Sequence, residues 1–213
     1  MYRVALPALL SLLLSAPAGA LELTDLPGVS ASASYCYQGC GNAKHDASNV
    51  LDGDYGGTGN TGFNAWNSGT YAGWVQVDFG AVYVFDRIEL YGWYNTYNPF
   101  TLSTSADGLS WSTVVVNGYH AEPRLTHTDL FGLKYGAVYD VADNTLATGV
   151  GGRYLRYTVN AGSPHWGYMF EMDVQGHLPA APVPEPHTYT LLLAGLGGVC
   201  VAARRRRALT FFR

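Results

Sequence analysis

The sequence predicts an all-β, antiparallel sandwich or barrel domain, and three observations carry that prediction. Short runs alternate apolar and polar residues, as half-buried strands do. Turns rich in Gly, Asn and Asp separate those runs. No segment of the central region repeats its apolar residues at helical spacing.

The clearest strand is "WVQVDF" (74–79), with Trp74, Val75, Val77 and Phe79 expected in the core and Gln76 and Asp78 outside. After a Gly80-Ala81 break, "VYVFDRIELYG" (82–92) continues the pattern. "FTLSTS" (100–105) and "WSTVVV" (111–116) follow, joined through Asp107-Gly108, a tight-turn dipeptide. The ring of Trp111 is expected inside. "AVYDV" (137–141), "RYLRYTVN" (153–160) and "YMFEMDVQG" (168–176) complete the set. Many short strands with polar turns indicate two packed antiparallel layers.

Both ends of the chain read as address rather than fold. Arg3 precedes the apolar run "VALPALLSLLLSAPAGA", which ends in small residues. This describes a secretory signal peptide over residues 1–20, with cleavage after Ala20; an uncleaved anchor is the alternative. At the other end, residues 179–186 form the proline-rich spacer "PAAPVPEP", stiff and extended. A hydrophobic stretch over 187–203 follows, and residues 204–213 form a basic tail. The uncharged part, Thr188 to Ala203, is 16 residues long. As a helix it would reach about 24 Å against a hydrocarbon core of about 30 Å, a marginal span. Arg204 to Arg207 would hold the tail on the cytoplasmic side. A buried core helix with a solvated basic tail is the alternative, disfavoured by Gly195, Gly197 and Gly198.

Pro184-Glu185-Pro186, a short hydrophobic helix and the arginines Arg204, Arg205, Arg206 and Arg207 together resemble the PEP-CTERM sorting signal of Gram-negative bacteria. That resemblance implies an exosortase in the inner membrane as processing partner. It also implies transient inner-membrane anchoring through the C-terminal helix and a final place at the cell surface or in the extracellular matrix. The "ALTFFR" after the arginines departs from the usual pattern, in which the tail stops sooner.

Residues 21–178 leave one domain, long enough for a substantial core. It holds 15 Asp and Glu against 6 Lys and Arg, a balance of −9. Such a surface repels phosphate backbones, so nucleic acid is not an expected partner. A bound cation or a neutral ligand suits it. Cys36 and Cys40 form C-x-x-x-C in a segment bound for an oxidising space, a candidate local disulfide, with free thiols as the alternative.

Four ordered stretches, "ASNVLDGD" (47–54), "WVQVDFG" (74–80), "FTLSTSADGLSW" (100–111) and "RYLRYTVN" with "EMDVQG" (153–176), resemble the discoidin or coagulation-factor type C domain of the galactose-binding-like superfamily. The resemblance implies a jelly-roll β-sandwich whose loops bind ligand at one end. It also implies a structural Ca2+ held by Asp52 and Asp54 and completed by Glu171, with Asn49 or a neighbouring carbonyl adding an oxygen. Two carboxylates flanking a glycine suit a hard cation with several oxygen ligands. An Asx-rich turn without metal is the alternative. In this chain "YGGTGNTGF" separates the DGD turn from Trp66, and Asn64 stands where the family carries threonine.

No nucleophile elbow, zincin helix, P-loop or ordered Ser/His/Asp set is present, so an enzyme is not expected. Asp86 and Glu89 are a candidate carboxylate pair only in name. Their odd spacing on one strand sends them to opposite faces, and both are expected on the surface. The binding material is richer: the chain is 14% aromatic with 16 Tyr, more than a small core needs. "YGWYNTYNP" (91–99) is expected to be a loop presenting Trp93, Tyr94, Asn95 and Tyr97, and "SPHWGYM" (163–169) presents His165 and Trp166. Flat rings with a few polar groups suit a sugar; core plugs at the sandwich end are the alternative for Trp93 and Trp166. Polysaccharide or surface glycan is therefore the expected ligand. A structural or adhesive matrix protein that contacts another protein is the alternative.

Overall fold

A computed structural model of the chain describes residues 20–56, 64–92, 95–120, 124–128, 136–159, 167–180 and 191–196, with backbone alone for 95–98. Residues 1–19 of the expected signal peptide, the PEP motif and the four arginines lie outside the described residues. The chain divides after Leu178 into two units, Met1–Leu178 and Pro179–Arg213.

The strand that organises the first unit is β4 (Gly73–Tyr91), preceded by β1 (Leu21–Glu22), β2 (Ser30–Ala33), a 3-10 turn η1 (Ala47–Leu51) and β3 (Trp66–Gly69). After it come β5 (Asn95–Ser105), β6 (Ser112–His120), β7 (Gly136–Asp140), β8 (Gly151–Val159), β9 (Gly167–Met169) and β10 (Glu171–His177). The first half of β4 pairs with β2 and β8, whereas its second half pairs with β10 and β7. Gly80 stands between the halves at φ 76°, a conformation glycine adopts without strain, and the register shifts between Asp78 and Tyr83. One long strand thus serves two antiparallel layers, β2-β4-β8-β5-β6 and β1-β10-β4-β7, with β3 and β9 as a separate ribbon.

The two layers share one core. Val75, Val77, Phe79, Leu102, Leu155 and Tyr157 from the first pack with Phe85, Ile88, Leu90, Met172 and Val174 from the second. These are the inward positions of the alternation read from the sequence, and the result is the galactose-binding-like β-sandwich that the resemblance implied. A smaller cluster of Tyr91, Leu125, Val138, Phe170 and Ala65 lies apart from it.

Three expectations are corrected. Trp74 and Trp111 are not core residues: both are half-buried, and the guanidinium of Arg156 lies 4.2 Å from the Trp74 ring and 3.6 Å from the Trp111 ring. Trp74 shares its strand face with Gln76 and Asp78, so the pleat turns it outward. Second, the segment expected as a loop at 91–99 is largely strand, because β5 begins at Asn95, whose partner is His120. Third, Glu89 is no surface residue but is only 3% exposed. Nor does Asp86 take the opposite face: it stands at a register shift of β4, and its Oδ2 lies 2.9 Å from Nδ1 of His177, which has the same strand parity as Asp173, the partner of Glu89.

In the second unit residues 191–196 are helical, with exposed Leu191, Leu192, Leu193 and Leu196. Among the described residues no helix is long and apolar enough to cross a membrane.

Candidate functional site

The DGD turn is built by side chains that accept local backbone bonds. Asp46 caps η1 by accepting from Ser48 N at 3.0 Å, and it also accepts from Gly41 N. The chain leaves η1 through Asp52, whose Oδ1 accepts from Asp54 N at 2.9 Å, while Asp54 Oδ1 accepts from Gly56 N at 3.2 Å. Gly53, at φ 76°, aims its N–H at Glu171 Oε2, 2.8 Å away on the first residue of β10.

Glu171 is 2% exposed, and burial pushes its carboxyl up to about 8, with the charges of Asp173 and Asp52 adding to the effect. Burial and the neighbouring Asp54 also raise Asp52. Desolvated acids that repel one another are stabilised by a cation. Asp52 and Asp54 thus flank the glycine whose N–H reaches Glu171, and Asp52 is the one whose charge acts on that carboxyl. Asn49 is buried on η1, where its Nδ2 donates to the Ala43 carbonyl at 3.1 Å. Among the described residues no group of three or more His, Cys, Asp or Glu side chains could hold a metal ion. The donor chemistry fits Ca2+ only if backbone carbonyls supply several of the oxygens, as that ion accepts.

Beside this turn lies a polar network absent from the sequence reading. Glu89 accepts from Arg87 Nε at 2.6 Å, Thr126 N at 2.8 Å, Thr126 Oγ1 at 2.6 Å and the Tyr91 hydroxyl. Burial alone would raise its carboxyl, but these donors hold it below its ordinary range. A carboxylate so engaged anchors the 124–128 segment to β4 and offers no lone pair to a substrate. Tyr55, just past the DGD turn, stacks on His127 with ring centroids 4.1 Å apart.

Of the predicted ligand-binding residues, Trp93, Tyr94, His165 and Trp166 lie outside the described residues, and Asn95 and Tyr97 are described in backbone only. Their described neighbours share one end of the sandwich. Val159, which precedes the 160–166 segment, pairs with both Gly73 and Phe100. Gly92 crosses His120 so closely that a Cβ there would lie 2.1 Å from Nδ1. At this end Tyr35 and Tyr71 meet edge to face at 5.5 Å and remain 40% and 64% exposed. Tyr37 packs on His45, and its N–H donates to the Asn67 carbonyl at 2.7 Å. Ser68 Oγ is buried there without a hydrogen-bond partner among the described residues. Sequence reasoning passed over these tyrosines. The available signal was that "SYCYQG" and "GTYAG" place rings where no strand alternation asks for them. The Cys36–Cys40 disulfide ties the base of the first of these segments, with Cys36 buried.

Two family models match the chain: the F5/8 type C domain over residues 29–172 and the PEP-CTERM protein-sorting motif over residues 182–207. No curated protein sequence matches it. Among solved structures, a fucolectin from striped bass (Morone saxatilis) serum superposes with a TM-score of 0.54 at 15% identity, covering 75% of this chain and 50% of the lectin. A family 89 glycoside hydrolase from Clostridium perfringens gives 0.50 at 19% identity, over 78% of this chain and 16% of the hydrolase. A chitosan-binding module from a Paenibacillus chitosanase/glucanase gives 0.49 at 22% identity, over 73% and 98%. Sandwich, turn and sorting motif agree with the first two matches: the chain belongs to the F5/8 type C, or discoidin, domain family and carries a PEP-CTERM sorting motif.

Proposed function

We propose that the chain is an exported, non-catalytic carbohydrate-binding protein that works at the cell surface or in the extracellular matrix. The observation that carries this reading is the end of the sandwich where exposed Tyr35 and Tyr71 stand beside the strand ends that flank residues 93–98 and 160–166. Aromatic faces beside polar groups suit the C–H surface and hydroxyls of a pyranose. Trp93, Tyr94, Asn95, Tyr97, His165 and Trp166 complete the site in this reading. The striped-bass relative in fold is itself a lectin, which supports the ligand class.

Ca2+ is the structural ion of this reading, held by Asp52, Asp54, Glu171, Asn49 and backbone oxygens, with no part in chemistry. Delivery runs through an exosortase that reads Pro184-Glu185-Pro186 and the arginine block, after transient inner-membrane anchoring of the precursor. A matrix protein that binds another protein through the same end is the second reading. The acidic balance of the domain gives it no preference between neutral sugar and a basic protein partner.

A glycan array separates the two. Under the carbohydrate reading, the full-length chain marks a defined set of glycans, and Trp93→Ala or Trp166→Ala abolishes the signal. A blank array with the folded chain transfers the end of the sandwich to protein contact.

A further inference from the structure

The outer face of the β2-β4-β8-β5-β6 layer carries a second assembly, which begins one register position from the Gly73–Val159 pair and runs along the strands away from the end flanking residues 160–166. Arg156 on β8 is flanked by Gln76 on β4 and Ser103 on β5, its partners in register. Trp74 lies on one side of its guanidinium and Trp111 on the other, at 4.2 and 3.6 Å to the ring centres, since a planar group has one face for each ring. Gln76 Oε1 accepts from Nε at 3.0 Å and from Nη2 at 2.6 Å, which fixes the plane. Trp111 is fixed in turn by its Nε1 donating to the Gly108 carbonyl at 3.2 Å.

The charge of Arg156 is what stands out. Arg87 meets Glu89 and Asp140, Arg124 meets Asp143, and Arg153 meets Asp78. Among the described residues Arg156 meets no carboxylate, and its Nη1 has no hydrogen-bond partner. An acidic domain with 15 Asp and Glu has thus left one oriented guanidinium unneutralised on an open sheet face. Around it the register brings hydroxyls to the same face: Ser32 beside Gln76, Thr158 between Trp74 and Thr101, and Thr113 beside Ser103.

We propose that this face, centred on Arg156 between Trp74 and Trp111, is a second contact surface and takes a carboxylated polysaccharide, one whose sugar units carry uronate groups. An oriented guanidinium recognises a planar carboxylate. Indole rings and hydroxyls serve the rest of a pyranose chain lying along the strands. A single arginine gives weak affinity for one sugar acid, and a polymer that repeats the acid engages many copies of the chain on one surface. The inference stands apart from the loop-end reading and needs none of its residues.

The test measures binding of the full-length chain, in neutral detergent, to immobilised polygalacturonate, to the same polymer with its carboxyls reduced, and to dextran sulfate. Expected is binding to polygalacturonate about tenfold tighter than to the reduced polymer, lost in Arg156→Gln. Ser103→Asp guards against a variant that merely unfolds. It places a carboxylate beside Arg156, keeps the melting temperature at or above that of the parent, and abolishes the preference by occupying the guanidinium from within. Equal binding to the two polymers overturns the proposal. So does tighter binding to dextran sulfate than to polygalacturonate, which would make the surface a sulfate site. Binding lost in Trp93→Ala but untouched by Ser103→Asp would assign it to the loop end and also overturn the proposal.

Discussion

Gly53 donates its backbone N–H to Oε2 of Glu171 at 2.8 Å, joining the turn after η1 to the last strand across 118 positions of sequence. That single bond places a buried acid under the Asp52 and Asp54 turn and makes calcium testable. Calcium is expected to raise the melting temperature by several degrees, the size of a ligand that binds only the folded chain. Glu171→Gln keeps an acceptor for Gly53 and removes the charge. The variant is expected to melt at or above the parent in chelator and to lose its response to calcium. Differential scanning fluorimetry of both proteins with calcium and with chelator decides; a parent that responds to neither has no ion there.

His120 offers a pH test away from that turn. Its ring is buried between Phe100 and Tyr157, with Nε2 3.0 Å from the Tyr157 hydroxyl and Nδ1 without a partner among the described residues. Burial lowers its pKa to about 4, so the fold holds the neutral ring while the unfolded chain takes a proton below about 6.5. The unfolded state therefore binds more protons between those values, and stability falls as pH drops through that window, by up to about 3 kcal/mol. His120→Gln keeps a donor or acceptor for Tyr157 and does not titrate. Urea unfolding at pH 7 and pH 4 is expected to show a smaller acid loss in the variant than in the parent; equal losses refute the assignment.

The Cys36–Cys40 bridge closes a short loop, whose entropic stabilisation is about 2 kcal/mol. Cys40→Ser is expected to cost that much in chemical unfolding and to leave the core packing of Cys36 intact. Intact mass under non-reducing conditions reports the bond directly, as a loss of two hydrogens against the reduced chain.

Tyr71 is the most exposed of the described tyrosines at the loop-bearing end. Tyr71→Ala is expected to weaken glycan binding by about tenfold while changing stability by no more than about 0.5 kcal/mol. Titration calorimetry with an array-selected glycan measures the first effect and thermal unfolding the second. Unchanged affinity would remove this ring from the site.

Strand alternation made the sandwich legible. Val75, Val77 and Phe79 are buried because they share one parity, and the same parity places Trp74 outside with Gln76. Treating Trp74 as core let hydrophobicity override the pleat, and a guanidinium covers the ring instead. Glu89 failed for the opposite reason. Its parity is outward with Arg87, yet Thr126, from a segment without periodicity, folds over it. No local pattern announces which loop will cover an outer face. The DGD turn and Glu171 were legible only through family resemblance, since 118 positions separate the partners. The rings at 35 and 71 stood out only as aromatics outside any strand alternation, and their meeting, between segments 36 positions apart, could not be read from either one.

The central claim, that sugar is bound at the end bearing residues 93–98 and 160–166, is tested most directly by hydrogen–deuterium exchange of the full-length chain with and without its glycan. Slower exchange is predicted in peptides covering 34–45, 70–72, 92–98 and 160–166. Unchanged exchange in all four, with protection elsewhere or nowhere, would contradict it.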